Sequence, residues 1–296
     1  MHFTKMQGLG NDYVYIDCLK EQVDDPGALA RKISDRHFGI GSDGLILIKD
    51  SAEADFTMEM YNADGSRSEM CGNGIRCVGK YVYDNGLTDK TDVSVETLAG
   101  IKYLHLFVEK ASESDRGFVK QVEVNMGSPV LKPEQIPVDI EKLHFYHEGM
   151  EQDLSRMVCY YPVLIAGKIY PITCVSMGNP HCVTFVEQVA DFPIDEVGKV
   201  FESHEIFPRR VNAEFAEIVS RDFIRMRVYE RGTGETFACG TGTCATVVAA
   251  VLNELTEEEV TVELLGGRLH IRWDRAADLV YMTGPAETVY KGVIEV

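Results

Sequence analysis

Apolar and polar residues alternate along several short stretches of the chain, which is the pattern of β-strands with one buried face. In the first half, YVYID at 13–17 predicts such a strand, and TMEMYNADG at 57–65 predicts another that ends in a tight turn. A helical pattern near 27–37 and the turn-rich GIGSDG at 39–44 lie between them. In the second half, FIRMRVYERGTGE at 223–235 repeats the strand and its turn. Further strands are predicted at 120–131, 260–264, 269–273 and 279–284.

Two helices are predicted, each directly after a cysteine and a glycine-rich turn. After Cys71 the apolar residues fall at helical spacing, and Asn85-Gly86 predicts the helix end. After Cys239 the run at 244–252 is apolar on nearly every side, so this second helix should be buried and wrapped by the strands of its own half.

The two cysteines lie 168 residues apart, and the same shift aligns other residues of the two halves. It pairs Gly10-Asn11 with Gly178-Asn179, Tyr61 with Tyr229, Cys71-Gly72 with Cys239-Gly240, and Gly74 with Gly242. Matching residues at one constant spacing indicate an internal repeat. The sequence therefore predicts a duplication in which the two halves share one architecture.

We therefore expect an α+β fold of two pseudo-symmetric lobes that arose by internal duplication. Each lobe should be a mostly antiparallel sheet or barrel wrapped around a central buried helix, with the active site in the cleft between the lobes. The predicted N-terminal lobe is 1–120, joined by 285–296, and the C-terminal lobe is 121–284.

Composition narrows the classes of function. The 296 residues are 45% hydrophobic and 26% charged, as in an ordinary globular chain of two domains. A net charge of −18 disfavours nucleic acid and anionic membranes as partners. No apolar run reaches the roughly 20 residues that span a bilayer, and the start of the chain lacks a secretory signal, so a cytoplasmic location is expected. The eight cysteines include no C-x-x-C pair, which favours reduced thiols and no metal site.

The two cysteines carry the candidate chemistry. A helix N-terminus presents unpaired backbone N–H groups and the positive end of the helix dipole, and both favour a thiolate. We therefore expect the pKa values of Cys71 and Cys239 to lie below the usual value of about 8.5. Glycines at 72, 74, 240 and 242 allow a close backbone approach, so the same helix ends can hold a carboxylate.

Two such helix ends that face one another fit a two-base racemase. One thiolate would remove the α-proton from one face of an amino acid while the opposite thiol delivers a proton to the other face. This reaction needs no cofactor, and the two cysteines exchange roles in the reverse direction.

Specific motifs along nearly the whole chain carry a resemblance to a known family. They are KMQGLGNDYVYID, GIGSDG, YNADGSRSEMCGNGIRC, SMGNPHCV, RVNAEF, YERGTGETFACGTGTCA and YMTGPA. With these motifs the chain resembles the diaminopimelate epimerases, which are cofactor-independent two-cysteine racemases. The resemblance implies interconversion of L,L- and meso-diaminopimelate, on the route to lysine and peptidoglycan, by a two-lobed homodimer.

The resemblance also implies roles for particular residues. Cys71 matches the proton donor and Cys239 the acceptor, while His181 and Glu230 match positions that support catalysis. Gly72, Asn73, Gly240 and Thr241 match the helix-end amides that bind the reacting carboxylate. The further substrate contacts implied are Asn11, Asn62, Asn179, Asn212, Glu230 and Arg231. Tyr290 matches a dimer contact, with a core role as the alternative.

Several alternatives stay open at this level. A related two-thiol racemase could act on another amino acid such as histidine or proline, and a non-catalytic ligand-binding protein could share the fold. Gly44 stands where many relatives have a glutamine, which leaves one polar contact unassigned. The stretch 144–172 is longer than the family pattern and predicts an added loop or strand pair. The resting protonation of the two cysteines is not determined by the sequence.

Overall fold

The computed structural model describes residues 1–146 and 153–295. Its chain forms two compact units, Met1–Asn125 with Thr283–Val296, and Met126–Met282. The lobe boundaries drawn from the sequence stay a prediction for separately folding domains. No helix within the described residues is both long and apolar enough to cross a membrane.

The secondary structure consists of many strands and few helices. The α-helices are α1 Pro26–Ser34, α2 Gly72–Asp84, α3 Ile140–Tyr146, α4 Ile194–Glu202 and α5 Gly240–Leu252, with one 3-10 turn at Pro133–Gln135. The strands of the first unit are β1 His2–Gly8, β2 Asn11–Asp17, β3 Gly44–Lys49, β4 Phe56–Asn62, β5 Arg67–Ser68, β6 Asp92–Thr97, β7 Gly100–Glu109 and β18 Glu287–Val293. Those of the second are β9 Tyr161–Ile165, β10 Lys168–Ser176, β11 Pro180–Phe185, β12 Asn212–Ser220, β13 Phe223–Glu230, β14 Gly234–Thr236, β15 Glu259–Leu264 and β16 Gly267–Asp274. Two more strands, β8 Phe118–Gly127 and β17 Leu279–Pro285, contain the points at which the chain passes from one unit to the other.

In the first unit, β18, β1 and β2 pair antiparallel, and β2 then pairs parallel with β3. β3 and β4 are antiparallel, β4 and β6 are parallel, and β6, β7 and β8 continue antiparallel. Helix α2 contacts β1, β2, β7 and β18. The sheet is thus mostly antiparallel around one buried helix, as the sequence predicted.

The second unit repeats this order of pairings. β9, β10 and β11 are antiparallel, β11 is parallel to β12, β12 is antiparallel to β13, and β13 is parallel to β15. Helix α5 contacts β10, β11, β12 and β16. Both central helices have 13 residues, and both end at an asparagine, Asn85 and Asn253, whose side chain donates to a carbonyl of the last turn. The duplication inferred from the sequence is therefore visible in strand order, register and helix ends.

The two central helices are buried in different ways. Helix α2 buries an apolar face and one charged residue, Arg76, which is 0% exposed. Helix α5 buries every residue from Gly242 to Val251, as its uniformly apolar sequence predicted. Burial of apolar surface holds each helix against the strands around it. The first residues of the helix are therefore fixed in position.

The added stretch at 144–172 is only partly described. Residues 147–152 lie outside the described part of the chain. Within the rest, β9 and β10 form a hairpin whose two-residue turn, Ala166-Gly167, has positive φ at both positions. This is the geometry of a type I′ turn, which matches the twist of paired strands. This hairpin takes the place that β18 and β1 take in the first unit, so it belongs to the repeated sheet, and the added loop or strand pair stays a prediction.

Candidate active site

Cys71 is the N-cap residue of α2, with extended backbone dihedrals. Its Sγ accepts a hydrogen bond from the backbone N–H of Gly74 at 3.3 Å, as a capping side chain does. A Cβ at residue 74 would lie 2.8 Å from Ile46 Cδ1, so the end of that side chain would have to move, and 3.5 Å from Cys71 Cβ. The glycine therefore allows the sulfur to lie against the first turn.

Asn11 connects Cys71 to a surface ion-pair network. Cys71 Sγ lies 3.1 Å from Asn11 Oδ1, and Asn11 Nδ2 donates to Asp43 Oδ2 at 2.8 Å. Asp43 pairs with Arg36 at 2.9 Å, and Arg36 also pairs with Asp12. Gly10, with a φ of 86°, turns the chain so that Asn11 begins β2 at this point. The predicted pair Asn11 and Cys71 is thus brought together.

Tyr13 is buried beside the same sulfur. Burial is the largest cause that raises the pKa of its phenol, and the neighbouring Cys71 raises it further. The phenol therefore stays protonated at neutral pH. This tyrosine is not among the predicted site residues, although it stands at the strand position that His181 occupies in the second half.

The first turn of α2 packs against a buried guanidinium, that of Arg76. Arg76 donates to Asn73 Oδ1 at 2.9 Å, to the Gly72 carbonyl at 3.1 Å and to the Pro285 carbonyl at 3.1 Å. The side chain of Asn73 is 4% exposed and turns toward its own helix, so what this residue can offer an anion is its backbone N–H.

The two remaining predicted positions in this half are Asn62 and Gly44. Asn62 ends β4, and its Nδ2 donates to Ser66 Oγ at 3.0 Å, which closes the NADG turn. A Cβ at Gly44 would lie 2.1 Å from the Tyr61 carbonyl oxygen and 2.9 Å from a ring carbon of Tyr13. Glycine is therefore required by close backbone packing, and no side chain can replace the missing glutamine without moving β4.

Cys239 is the N-cap residue of α5 and is only 6% exposed. Its Sγ lies 3.5 Å from Thr241 Oγ1. The pKa of this thiol is well above its usual value, first because of burial and then because the carboxyl groups of Glu230 and Glu214 lie nearby. The lowered pKa expected for this cysteine is therefore wrong, since burial and like charge outweigh the helix end.

Two buried polar side chains lie beside Cys239 on the neighbouring strands. His181 on β11 and Glu214 on β12 are both 0% exposed, and His181 Nδ1 lies 2.6 Å from Glu214 Oε1. The other ring nitrogen, Nε2, lies 2.9 Å from Asn179 Oδ1. The predicted residues Asn179 and His181 are thus joined. Glu214 was missed, although a carboxyl in a buried strand of the RVNAEF motif is a detectable signal.

Asn212 holds the start of the loop that carries Arg231. Its Oδ1 accepts from the Arg231 backbone N–H at 2.9 Å, and its Nδ2 donates to the Pro180 carbonyl at 3.1 Å. The Arg231 guanidinium donates to the Arg209 carbonyl at 3.2 Å and remains exposed. Glu230 accepts from Thr236 Oγ1 across β13 and β14.

Tyr290 lies on β18, away from either cysteine in sequence, and is 43% exposed. Its ring packs edge-on against the ring of Phe3, with 5.9 Å between the two ring centroids. Within the part of the chain that the structure describes, no cluster of three or more His, Cys, Asp and Glu side chains is arranged to hold a metal ion.

Comparison with solved structures defines the class of fold. The structure is similar to a PhzF-family phenazine biosynthesis protein from Bacillus anthracis, with a TM-score of 0.67 at 16% identity, covering 100% of this chain and 99% of that chain. It is also similar to a hydroxyproline epimerase from Agrobacterium vitis, with a TM-score of 0.66 at 12% identity, covering 99% of this chain and 90% of that chain. The α+β two-lobe fold predicted from the sequence is confirmed.

Sequence comparison gives the family. The family model described as diaminopimelate epimerase matches residues 3–132 and 173–289. A diaminopimelate epimerase of Acetivibrio thermocellus is 54% identical over 295 residues, covering 100% of this chain and 99% of the relative. One from Agathobacter rectalis is 53% identical over 296 residues and covers 100% of both chains. The chain belongs to the diaminopimelate epimerase family.

Membership confirms the predicted family and the predicted class of enzyme, an isomerase. The ranges that match the family model leave out 133–172, which contains the added stretch. The roles of individual site residues, the oligomeric state and the location stay predictions.

Proposed function

We propose that this chain interconverts L,L- and meso-diaminopimelate by two-thiol proton transfer at one α-carbon, with Cys71 and Cys239 as the two proton carriers. The observation that carries this proposal is the repeat itself. Each of the two cysteines that the 168-residue shift relates is the N-cap of a buried 13-residue helix whose first turn is rich in glycine.

The helix ends supply the site for the reacting carboxylate. The backbone N–H groups at Gly72 and Asn73, and those at Gly240 and Thr241, belong to the first turns of α2 and α5. First-turn N–H groups and the helix dipole bind anions and stabilise the negative charge that grows on the carboxylate as the α-proton leaves. Small first-turn residues keep the backbone accessible to the substrate.

The proton balance needs one thiolate and one thiol. The thiolate takes the α-proton and becomes a thiol, while the opposite thiol gives its proton to the other face of the carbon and becomes a thiolate. Burial and two nearby carboxyl groups raise the pKa of Cys239, so its proton is held in the resting protein. Cys239 is then the donor in the direction in which Cys71 acts as base, and the roles reverse in the other direction.

The distal end of the substrate carries an ammonium and a second carboxylate. Asn62, Asn179, Asn212, Glu230 and Arg231 are the residues we assign to it. The Asn212 bridge from Pro180 to the Arg231 backbone supports this assignment, because it fixes the loop on which the exposed guanidinium lies. A guanidinium binds a carboxylate through two parallel hydrogen bonds, and a site built for such bonds rejects ligands that leave them unpaired.

We further propose that the protein acts as a homodimer through β18, the strand that contains Tyr290. This ring is 43% exposed, and Val289 and Val293 on the same strand are 54% and 67% exposed. Light scattering of the wild type should give twice the chain mass, and Tyr290→Glu should shift it toward the monomer. A monomeric wild type at micromolar concentration would contradict this assignment. A cytoplasmic location also stays a prediction.

The deciding experiment is proton NMR with chiral product analysis of the reduced protein and L,L-diaminopimelate in deuterium oxide. The expected product is the meso isomer with deuterium at one α-carbon. Histidine and proline are run in parallel, because turnover of either would keep the two-thiol chemistry and replace the substrate. Absence of exchange in all samples would favour a non-catalytic ligand-binding protein.

A further inference from the structure

A chain of polar side chains, of which His181 and Glu214 are fully buried, leads from Asn179 to the helix end at Cys239. His181 Nε2 lies 2.9 Å from Asn179 Oδ1, and His181 Nδ1 lies 2.6 Å from Glu214 Oε1. Both ring nitrogens therefore have an oxygen as their partner, and the contact with Glu214 fixes the orientation of the imidazole.

Glu214 also lies against the first turn of α5. A Cβ at Gly242 would be 2.6 Å from Glu214 Oε1 and 3.3 Å from Cys239 Sγ, so the carboxyl and the sulfur lie on either side of the same glycine. The nearby charge of Glu214 is one of the causes that raise the pKa of Cys239, together with that of Glu230 on β13. The carboxyl is thus placed to act on the sulfur through its charge.

Packing alone does not explain a carboxyl at this position. His181 pairs with Asn212 across β11 and β12, and Tyr13 pairs with Gly44 across β2 and β3, in the same register. Ile46 follows Gly44 by two residues on β3 and is 0% exposed. Its Cδ1 lies 2.8 Å from the position that a Cβ of residue 74 would take. The first unit therefore fills the equivalent of residue 214 with an aliphatic side chain.

Burial of an ionisable group is costly unless the group is paired. Burial raises the pKa of Glu214, and the adjacent His181 opposes this rise. Oε2 of Glu214 is buried and has no hydrogen-bond partner within the described residues. An isoleucine would avoid both costs, so the carboxyl has a chemical role in this half of the protein.

We propose that Glu214 is a positioning residue of the Cys239 half-site, which orients His181 and keeps the Cys239 sulfur protonated at rest. The inference rests on the proposed two-thiol function and deepens it. The charged groups near this sulfur are the carboxyls of Glu214 on β12 and Glu230 on β13, and Thr241 Oγ1 lies 3.5 Å from it. His181 on β11 is linked to the sulfur through its 2.6 Å contact with Glu214.

The test compares Glu214→Gln with Glu217→Gln, which removes a carboxyl three residues further along the same strand, where it pairs with Arg225. The glutamine at 214 keeps an oxygen that can accept from His181 but removes the charge. We expect kcat for L,L-diaminopimelate to fall about 10- to 100-fold, less than the roughly 10²- to 10⁴-fold typical of a direct acid–base group, with KM changed less than about 3-fold. The Glu217→Gln control should stay within about 2-fold of wild type.

A second readout does not depend on the substrate. The rate of iodoacetamide labelling at Cys239, measured by mass spectrometry over a range of pH, reports the ionisation of its thiol. Glu214→Gln should move the midpoint of this curve to lower pH, because a negative charge near the sulfur is lost, and Glu217→Gln should leave it in place. This measurement remains valid if the wild type turns over a different amino acid.

Glu214→Asp provides the rescue variant, since it restores a carboxyl one methylene shorter. It should recover part of kcat and move the labelling midpoint back toward that of wild type, and it also serves if the glutamine variant does not fold. The inference is overturned if Glu214→Gln keeps both the wild-type kcat and the wild-type labelling midpoint. It is equally overturned if the aspartate variant shows the same losses as the glutamine variant while both retain the wild-type melting temperature.

Discussion

Cys71 and Cys239 cap helices of equal length in the two repeated units, yet their surroundings differ in charge and exposure. Cys71 is half-buried, and its sulfur is joined through Asn11 and Asp43 to Arg36 at the surface. Cys239 is 6% exposed and lies beside the buried carboxyl of Glu214. The duplication kept the helix end and replaced what surrounds it.

The difference shows which positions of the repeat are constrained by folding and which by chemistry. Strand register, helix length and the asparagine at the helix end agree in both halves. The residues nearest the sulfur do not, because Tyr13 and Ile46 in one half stand where His181 and Glu214 stand in the other. The proposed two-thiol reaction starts from one thiolate and one thiol, and unlike environments favour such a pair.

Removing either sulfur is the largest test of this comparison. Cys71→Ala and Cys239→Ala should each lower kcat for epimerisation by about 10³-fold or more, because each face of the α-carbon loses its proton carrier. Cys159→Ala, which removes a half-buried cysteine outside both helix ends, is the control and should retain activity. Turnover near the wild-type rate in either variant would contradict the two-base assignment.

Gly44 distinguishes the first half from the second, where the equivalent residue is Asn212. Gly44→Ala should reduce the free energy of unfolding by about 3 kcal/mol, because its Cβ would lie 2.1 Å from the backbone oxygen of Tyr61. Urea unfolding followed by circular dichroism measures the change. A variant as stable as wild type would mean that β3 and β4 separate without cost.

The glycines in the two first turns provide a matched pair of substitutions. Gly74→Ala meets the movable end of Ile46 at 2.8 Å, whereas Gly242→Ala meets the hydrogen-bonded carboxyl of Glu214 at 2.6 Å. In both variants the free energy of unfolding should fall by about 1–3 kcal/mol. The decrease in kcat should be larger for Gly242→Ala than for Gly74→Ala. Thermal melts and steady-state kinetics on the two proteins test this, and equal kinetic effects would argue against a special role of Glu214.

Labelling of the wild-type thiols compares the two sulfurs directly. At pH 7.5 iodoacetamide should react with Cys71 about 10-fold faster than with Cys239, which is less exposed and has a raised pKa. A raised thiol pKa keeps the proton on as pH rises, so the Cys239 rate should increase steeply only above pH 9. Cys18 and Cys159, both half-buried, give internal references in the same mass spectra. A faster reaction at Cys239 would reverse the proposed resting state.

The smallest expected effect concerns the surface network. Asp43→Asn should lower kcat less than about 5-fold, because the new amide still offers an oxygen to Asn11 and loses only a partly exposed ion pair with Arg36. Asp24→Asn, at an exposed site, is the control. Steady-state kinetics at low and high salt would detect the change, and a loss comparable to that of the cysteine variants would show that Asp43 takes part in the chemistry.

The sequence was sufficient for the fold class, the duplication, the two cysteine-capped helices and the family. Alternation of apolar residues predicts strands, and a glycine-rich turn before an apolar run predicts a helix start, so these features depend on short stretches of chain. The prediction that was wrong is the lowered pKa of Cys239.

That error and the omission of Glu214 have one cause. Helix-end electrostatics can be inferred from neighbours in sequence, whereas the charges and the burial at a given sulfur depend on residues far along the chain. Glu214 reaches Cys239 only because β12 and α5 pack together, and Gly44 is required only because β4 passes within 2.1 Å of where its Cβ would be. The sequence by itself determined the elements and the reactive residues. Only the tertiary structure decided the environment of each thiol, because desolvation and Coulomb interactions act through space and not along the chain.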